Sequence, residues 1–384
     1  MEEVRLHFAG NQNFSCTACG KCCREPWTVP VSAAKFDSLS QTQSYQNYKR
    51  AGYEPLPLAQ GSYQIGRDPE GLCYFQQDDG GCEIHAEHGL DAKPHICQIY
   101  PYEFVKTPDG LFVSLAFSCP AVLAGVGESI SREDEYLRSL LTDYPHDLPE
   151  VMGRDDEVLV SEGYHITWAE YSKLEIQLLS CLDPKDPVLS LLGAACHLAG
   201  QVRSGEPLTL AGALTTEMNA LLTEICEVYP FFCGNAIGLM EKKSEGADFE
   251  NFLSSLLEGG DLAFSKRLQS KLPTFERKKP ENDILKEVLA RFVANFILGK
   301  RLLSGLTLIS NSLLLATSIG VLLYYFELKS KRSGSLHFSF EDLEWAFDLI
   351  EGDLVTHNQG FKPAMLQYER ALGSYAGVFF PGPG

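Results

Sequence analysis

The chain has 384 residues, is 45% hydrophobic, and carries 51 acidic against 32 basic side chains, a formal net charge of −19. That length accommodates two or three domains with a sizeable core. The acidity excludes nucleic acid as a partner, since phosphate binding needs a positive footprint; it suits a lysine-rich protein partner, but acid excess more often serves only solubility.

In chain order, Met1-Glu2-Glu3-Val4-Arg5-Leu6-His7 has no basic stretch followed by an apolar one, so no signal peptide and a cytoplasmic location are expected. Cysteines in a reducing compartment bind metals or do redox chemistry rather than form lasting disulfides. Eight of the twelve stand early: Cys16, Cys19, Cys22, Cys23, Cys73, Cys82, Cys97 and Cys119. Around them, 27–31, 61–66 and 111–117 read as short strands, and 32–48 and 82–88 as helices. Residues 127–163 are acidic and rich in Pro and Gly; apart from a helix over 131–141 they read as connection.

Thereafter the pattern is helical. Thr167-Trp168-Ala169-Glu170 has the form of a capping box opening a helix to about 182, where Asp183-Pro184 stops it. Helical periodicity recurs over 187–202, 208–228, 249–257, 284–303, 306–328 and 340–357; 273–283 reads as a surface loop and 380–384 as a frayed tail. Residues 302–326 lack charge and are long enough to span a bilayer. However, Ser304, Thr307, Asn311 and Ser318 form a polar stripe at helical spacing, and basic residues flank both ends. A buried core helix, or a helix pair broken at Gly320, is expected rather than a membrane span. The fold class is thus α+β, mostly α: a small loop-rich cysteine-cluster domain (1–125), a connecting segment (126–163) and a larger all-helical domain (164–384) packed on it.

Cys16-x2-Cys19-x2-Cys22 has the spacing with which one loop wraps three corners of an iron–sulfur cluster, and a remote Cys-Pro such as Cys119-Pro120 often supplies the fourth. Cys-x2-Cys is equally the spacing of a zinc knuckle, with the turn at Gly20 freeing backbone N–H groups to face sulfur. Side chains of the adjacent Cys22 and Cys23 are expected to diverge, so eight thiols allow one site or two. The Cys-x3-Cys-x2-Cys signature of radical S-adenosylmethionine chemistry is absent, and Gly125-Val126-Gly127 reads as an ordinary turn rather than a nucleotide loop. His85 and His95 lie within ligand reach in sequence but read as supporting or surface residues. Cys181, Cys196, Cys226 and Cys233 read as buried apolar thiols.

The elements Cys73-Tyr74-Phe75, Gly81-Cys82-Glu83-Ile84-His85, Lys93-Pro94-His95-Ile96-Cys97-Gln98-Ile99-Tyr100-Pro101 and Ser118-Cys119-Pro120, with the first cysteine run, resemble the zinc- or iron-chelating cysteine-cluster (YkgJ-like) family. Length and the helical second half are similar to its flagellin lysine-N-methylase (FliB-like) branch. Gln98 and Lys93 stand where the family usually has arginine, and the first run is tighter than is common in the methylases. The resemblance implies a metal held by the eight cysteines, as an iron–sulfur cluster (4Fe-4S) or zinc. From the methylase branch it implies an enzyme using S-adenosylmethionine on a lysine-bearing, flagellin-like protein, with Tyr100, Tyr102 and Glu103 as candidate lining. The alternatives are a metal-stapled interaction module and a thiol redox sensor.

Overall fold

The computed structural model describes residues 5–10, 12–25, 27–142, 156–210, 282–333 and 339–356, with positions 229, 233, 236, 237, 240, 365, 366 and 368–370. The helices expected over 208–228 and 249–257, the 273–283 loop, Cys226 and the tail fall wholly or mostly outside these residues.

Small sheets and short helices carry the first third. Strands β1 (Leu6–Phe8), β6 (Tyr102–Thr107) and β7 (Gly110–Leu115) form a sheet in the order β1-β7-β6, with β1 parallel and β6 antiparallel to β7. β2 (Asn13–Phe14) pairs with β8 (Glu128–Ser129), and β3 (Pro30–Val31), β5 (Ser62–Gln64) and β4 (Leu58–Ala59) form a third small sheet. The single helix expected over 32–48 is two, α2 (Ala33–Leu39) and α3 (Gln43–Arg50). Thr42 breaks it: its hydroxyl donates to Leu39 O at 2.7 Å and accepts from Tyr45 N, which caps α3 anew. A small core of Val31, Leu39, Tyr45, Leu56, Phe75 and Ile84 holds these pieces together.

Four short helices follow the cysteines: α1 (Lys21–Arg24), α4 (Glu83–His88), α5 (His95–Ile99) and α6 (Pro120–Ala124). Then come α7 (Asp134–Thr142), the hairpin β9 (Glu157–Ser161) and β10 (Tyr164–Thr167), and the long helices α8 (Trp168–Cys181) and α9 (Pro187–Ser204). The capping box is present, with Thr167 Oγ1 accepting from Glu170 N and Glu170 accepting from Thr167 N. Helices α10 (Asp283–Leu298), α11 (Leu308–Ser333) and α12 (Phe340–Ile350) complete the helical layer.

α11 carries the apolar segment, and its mean hydropathy of 1.6 would permit a membrane crossing, but 94% of that window is buried inside the protein. It is a core helix. It starts at Leu308, after a turn at Ser304 and Gly305, and it runs unbroken through Gly320. Glycine serves there for closeness: a Cβ would lie 2.1 Å from the Tyr229 hydroxyl and 2.8 Å from Cys233 Sγ. The polar stripe faces inward, where Asn311 donates to Leu302 O at 2.8 Å and Thr307 and Ser310 donate to the buried Glu369.

One apolar core runs from the β1-β7-β6 sheet through α8 to α12. Asn295 of α10 joins the two parts: fully buried, it accepts from Leu115 N at 3.0 Å and donates to Leu115 O at 2.8 Å, pairing the end of β7. Phe117, Phe292 and Phe347 pack ring on ring beside it, at centroid distances of 5.2–5.7 Å. Arg291 donates to Val122 O and Leu123 O and closes the end of α6. The loop leading to Cys119 is thereby seated on the helical layer.

Candidate metal centre

The first cysteine run leaves β2 as an irregular loop and turns into α1 at Gly20, in the left-handed region with φ 69°. Only glycine fits. A Cβ there would stand 2.2 Å from Gln76 Nε2 and 2.5 Å from Gly80 O. This loop lies back to back with the turn before Cys82, and Gln76 Nε2 donates to Gly20 O at 3.2 Å. Cys73 N donates to Cys23 O at 3.2 Å, and Arg67 gathers the chain after α1 by donating to the carbonyls of Cys23, Glu25, Trp27 and Gly71. Cys82 and Cys119 each stand just before a short helix, α4 and α6; Cys97 lies within α5.

These connections bring Cys16, Cys19, Cys22, Cys23, Cys82, Cys97 and Cys119 to the wall of one cavity of about 270 Å³. Cys73 is not in that wall; its backbone N–H is held on Cys23 O, and its thiol lies close enough to that of Cys23 to act on it. The adjacent Cys22 and Cys23 do not diverge as the sequence led one to expect: both line the same cavity, their thiols close enough to act on each other. Among the described residues, no three His, Cys, Asp or Glu side chains stand close enough together to hold one metal ion. The thiols ring the space without closing on it, so ligation needs them to rotate inward. Cys16 and Cys19, both exposed, are the freest to do so.

Four of the thiols, those of Cys22, Cys23, Cys97 and Cys119, are held in their protonated form. Cys22 is pushed well up, first by the hydrogen bond with Cys23 and then by burial. For Cys23 the bond from Cys22 acts downward, but Cys73, burial and neighbouring thiols carry it up to about 12. Burial raises Cys97 to about 12 against the opposing charge of Lys93. It raises Cys119 to about 11 against the N–H groups of Val122 and Ala121. The thiolate is the form that ligates a metal, so binding of a thiophilic metal here must displace these protons.

Of the two histidines, His85 lines the cavity and His95 does not; its Nδ1 is buried without a hydrogen-bond partner. Tyr100 and Tyr102 are in the wall. Glu103 is not: strand alternation turns it away, and it pairs with Arg301 at 2.6 Å. Burial, partly offset by Arg301, holds its carboxyl well above the usual carboxylate range. Sequence reasoning missed Lys93, Glu133 and Tyr136, which also line the cavity; Glu133, at the end of the 3-10 turn that leads into α7, and Tyr136, in the first turn of α7, are three apart, a helical spacing that was legible. A polar junction ties the site to α12: Lys21 donates to Ser118 O and pairs with Asp348 at 3.0 Å and Glu344 at 3.6 Å, and Ser118 N donates to Glu351 at 2.6 Å.

Residues 15–120 match the CxxCxxCC family model, described as "putative zinc- or iron-chelating domain". The match encloses all eight cysteines and supports metal binding by this part of the chain, through zinc or iron. Neither the curated proteins nor the solved structures compared contain a match to the chain.

Proposed function

We propose that the protein holds a thiolate-ligated iron–sulfur cluster in this cavity, its ligands drawn from Cys16, Cys19, Cys22, Cys23, Cys82, Cys97 and Cys119, with Cys73 supporting Cys23. The observation that carries the reading is the convergence of seven cysteines on one space. That space of about 270 Å³ exceeds the requirement of a lone ion, given that a liquid water takes about 30 Å³. Zinc is the alternative that the same donors accept. A bound centre stabilises the part of the chain around β3, β4 and β5, whose own apolar core is six residues, and supplies Lewis-acid or electron-transfer chemistry at the cavity.

Protein purified without oxygen is expected to be brown and to contain iron and sulfide. C19S and C97S should lose both, while C181S, at a cysteine outside the cavity, should keep them. Zinc in place of iron overturns the cluster; unchanged metal in C19S and C97S overturns the ligand assignment.

A second reading, a lysine N-methylase using S-adenosylmethionine, has one observation in its favour beyond the resemblance. The cavity wall also carries Tyr100, Tyr102, Tyr136 and Glu133, apolar faces with one carboxylate, which would suit a cationic group beside the metal. Incubation with a flagellin and S-adenosylmethionine should add methyl mass to lysines; failure of the loaded protein to bind S-adenosylmethionine overturns this reading alone.

A further inference from the structure

Two lysines reach the cavity wall, Lys21 and Lys93. Lys21 is already matched by Asp348, Glu344 and the Ser118 carbonyl. Lys93 is different. Among the described residues it forms no ion pair with a carboxylate, and it shares the cavity wall with Cys82, Cys97, Cys22 and Cys16. Its backbone is pinned: Lys93 N donates to Leu90 O at 3.1 Å, Lys93 O accepts from the buried Gln98 Nε2 at 2.6 Å, and Pro94 follows. The chain thus places a lysine without a carboxylate partner on a thiol-lined wall, in a protein with a large excess of acid where such a partner would be easy to supply.

Without an anion beside it, a partly buried ammonium costs free energy. A loaded site reverses this. A divalent ion on four thiolates carries a net charge of about −2, and a four-iron cluster on four thiolates is similarly anionic. An N–H donor beside the sulfurs then gains a charge-assisted hydrogen bond, and the centre gains a cation inside the low-dielectric wall.

We propose that Lys93 is the counter-charge of the metal centre, a positioning residue whose ammonium offsets the negative charge that thiolate ligation leaves in the cavity. This rests on the cavity being a metal site. The test is competition against a chelator with Zn²⁺ for affinity, and titration with Co²⁺ to read the sulfur-to-cobalt charge-transfer band. K93M should bind Zn²⁺ about 10- to 100-fold more weakly, the usual effect of removing a group that supports metal ligands. K93Q, which keeps polarity without charge, should lose as much, K93R should recover most of the loss, and K49M, at an exposed lysine paired with Glu54, should change nothing. At saturating Co²⁺ the band per ion should be the same in K93M as in the parent protein.

K93M binding as tightly as the parent overturns the proposal, as does K93Q keeping the affinity that K93M loses. An altered Co²⁺ band in K93M would show a disturbed ligand set and overturn it too. If the parent protein binds neither ion, the metal-site reading itself fails, a result distinct from a Lys93 with no effect.

Discussion

Replacing Gly20 by alanine tests whether the cysteine run is shaped by close contact with the turn that carries Cys82. Gly20 has φ 69° and ψ 7°, and Gly205, at the end of α9, has nearly the same backbone with φ 70° and ψ 20°. Alanine in the left-handed region costs about 1–2 kcal/mol at either position. The surroundings differ. A Cβ at 205 meets nothing within 4 Å, whereas one at 20 lies 2.2 Å from Gln76 Nε2 and 2.5 Å from the backbone oxygen of Gly80. Gln76 can swing away only by giving up its bond to Gly20 O, and Gly80 O moves only with its whole turn. Overpacking of this kind adds about 1–3 kcal/mol, so G20A should cost about 2–5 kcal/mol against about 1–2 for G205A. The two loops must part, so Cys16, Cys19, Cys22 and Cys23 move away from Cys82 and metal is held more weakly. Urea denaturation of both variants, with and without metal, and chelator competition read the two effects. G20A no less stable than G205A, with metal binding intact, would refute the reasoning.

Asn295→Leu should destabilise the protein by about 2–4 kcal/mol, because both the N–H and C=O of Leu115 lose their partner in a fully buried place; urea denaturation reads the loss. Glu103 gives a pH signature. Its carboxyl is raised on folding, so the folded chain binds more protons than the unfolded one between about 4.5 and about 7, and stability should fall as pH rises through that window. E103Q should flatten that decline, as followed by thermal unfolding across the window; an unchanged slope assigns it to another group.

Much of this molecule is visible in one dimension because the physics is local. Helix α8 starts where its capping box says, since Thr167 and Glu170 satisfy each other's backbone N–H groups without outside help. The thiol spacing announces metal chemistry because neighbours two or three residues apart share one loop. The helix boundaries that departed from expectation have nonlocal or competing causes. Residues 32–48 divide at Thr42, whose side chain prefers a cap to a helix interior, and α10 ends at Gly299, where a Cβ would lie 2.5 Å from Ser114 of β7.

By itself, then, the sequence determined the thiol-rich metal-binding character of the first third, the helices of the described residues after Thr167, and the burial of the apolar stretch that became α11, each a matter of residue type and period. Only the tertiary structure decided that seven cysteines share one cavity while Cys73 lies outside its wall, that Lys93 and Tyr136 join that wall while Glu103 turns away, and that Lys21 and Asn295 tie the cysteine-rich part to the helices. Those facts depend on segments far apart in the chain meeting in space, Leu115 with Asn295 and Lys21 with Asp348, and no local periodicity encodes which parts of a chain will touch.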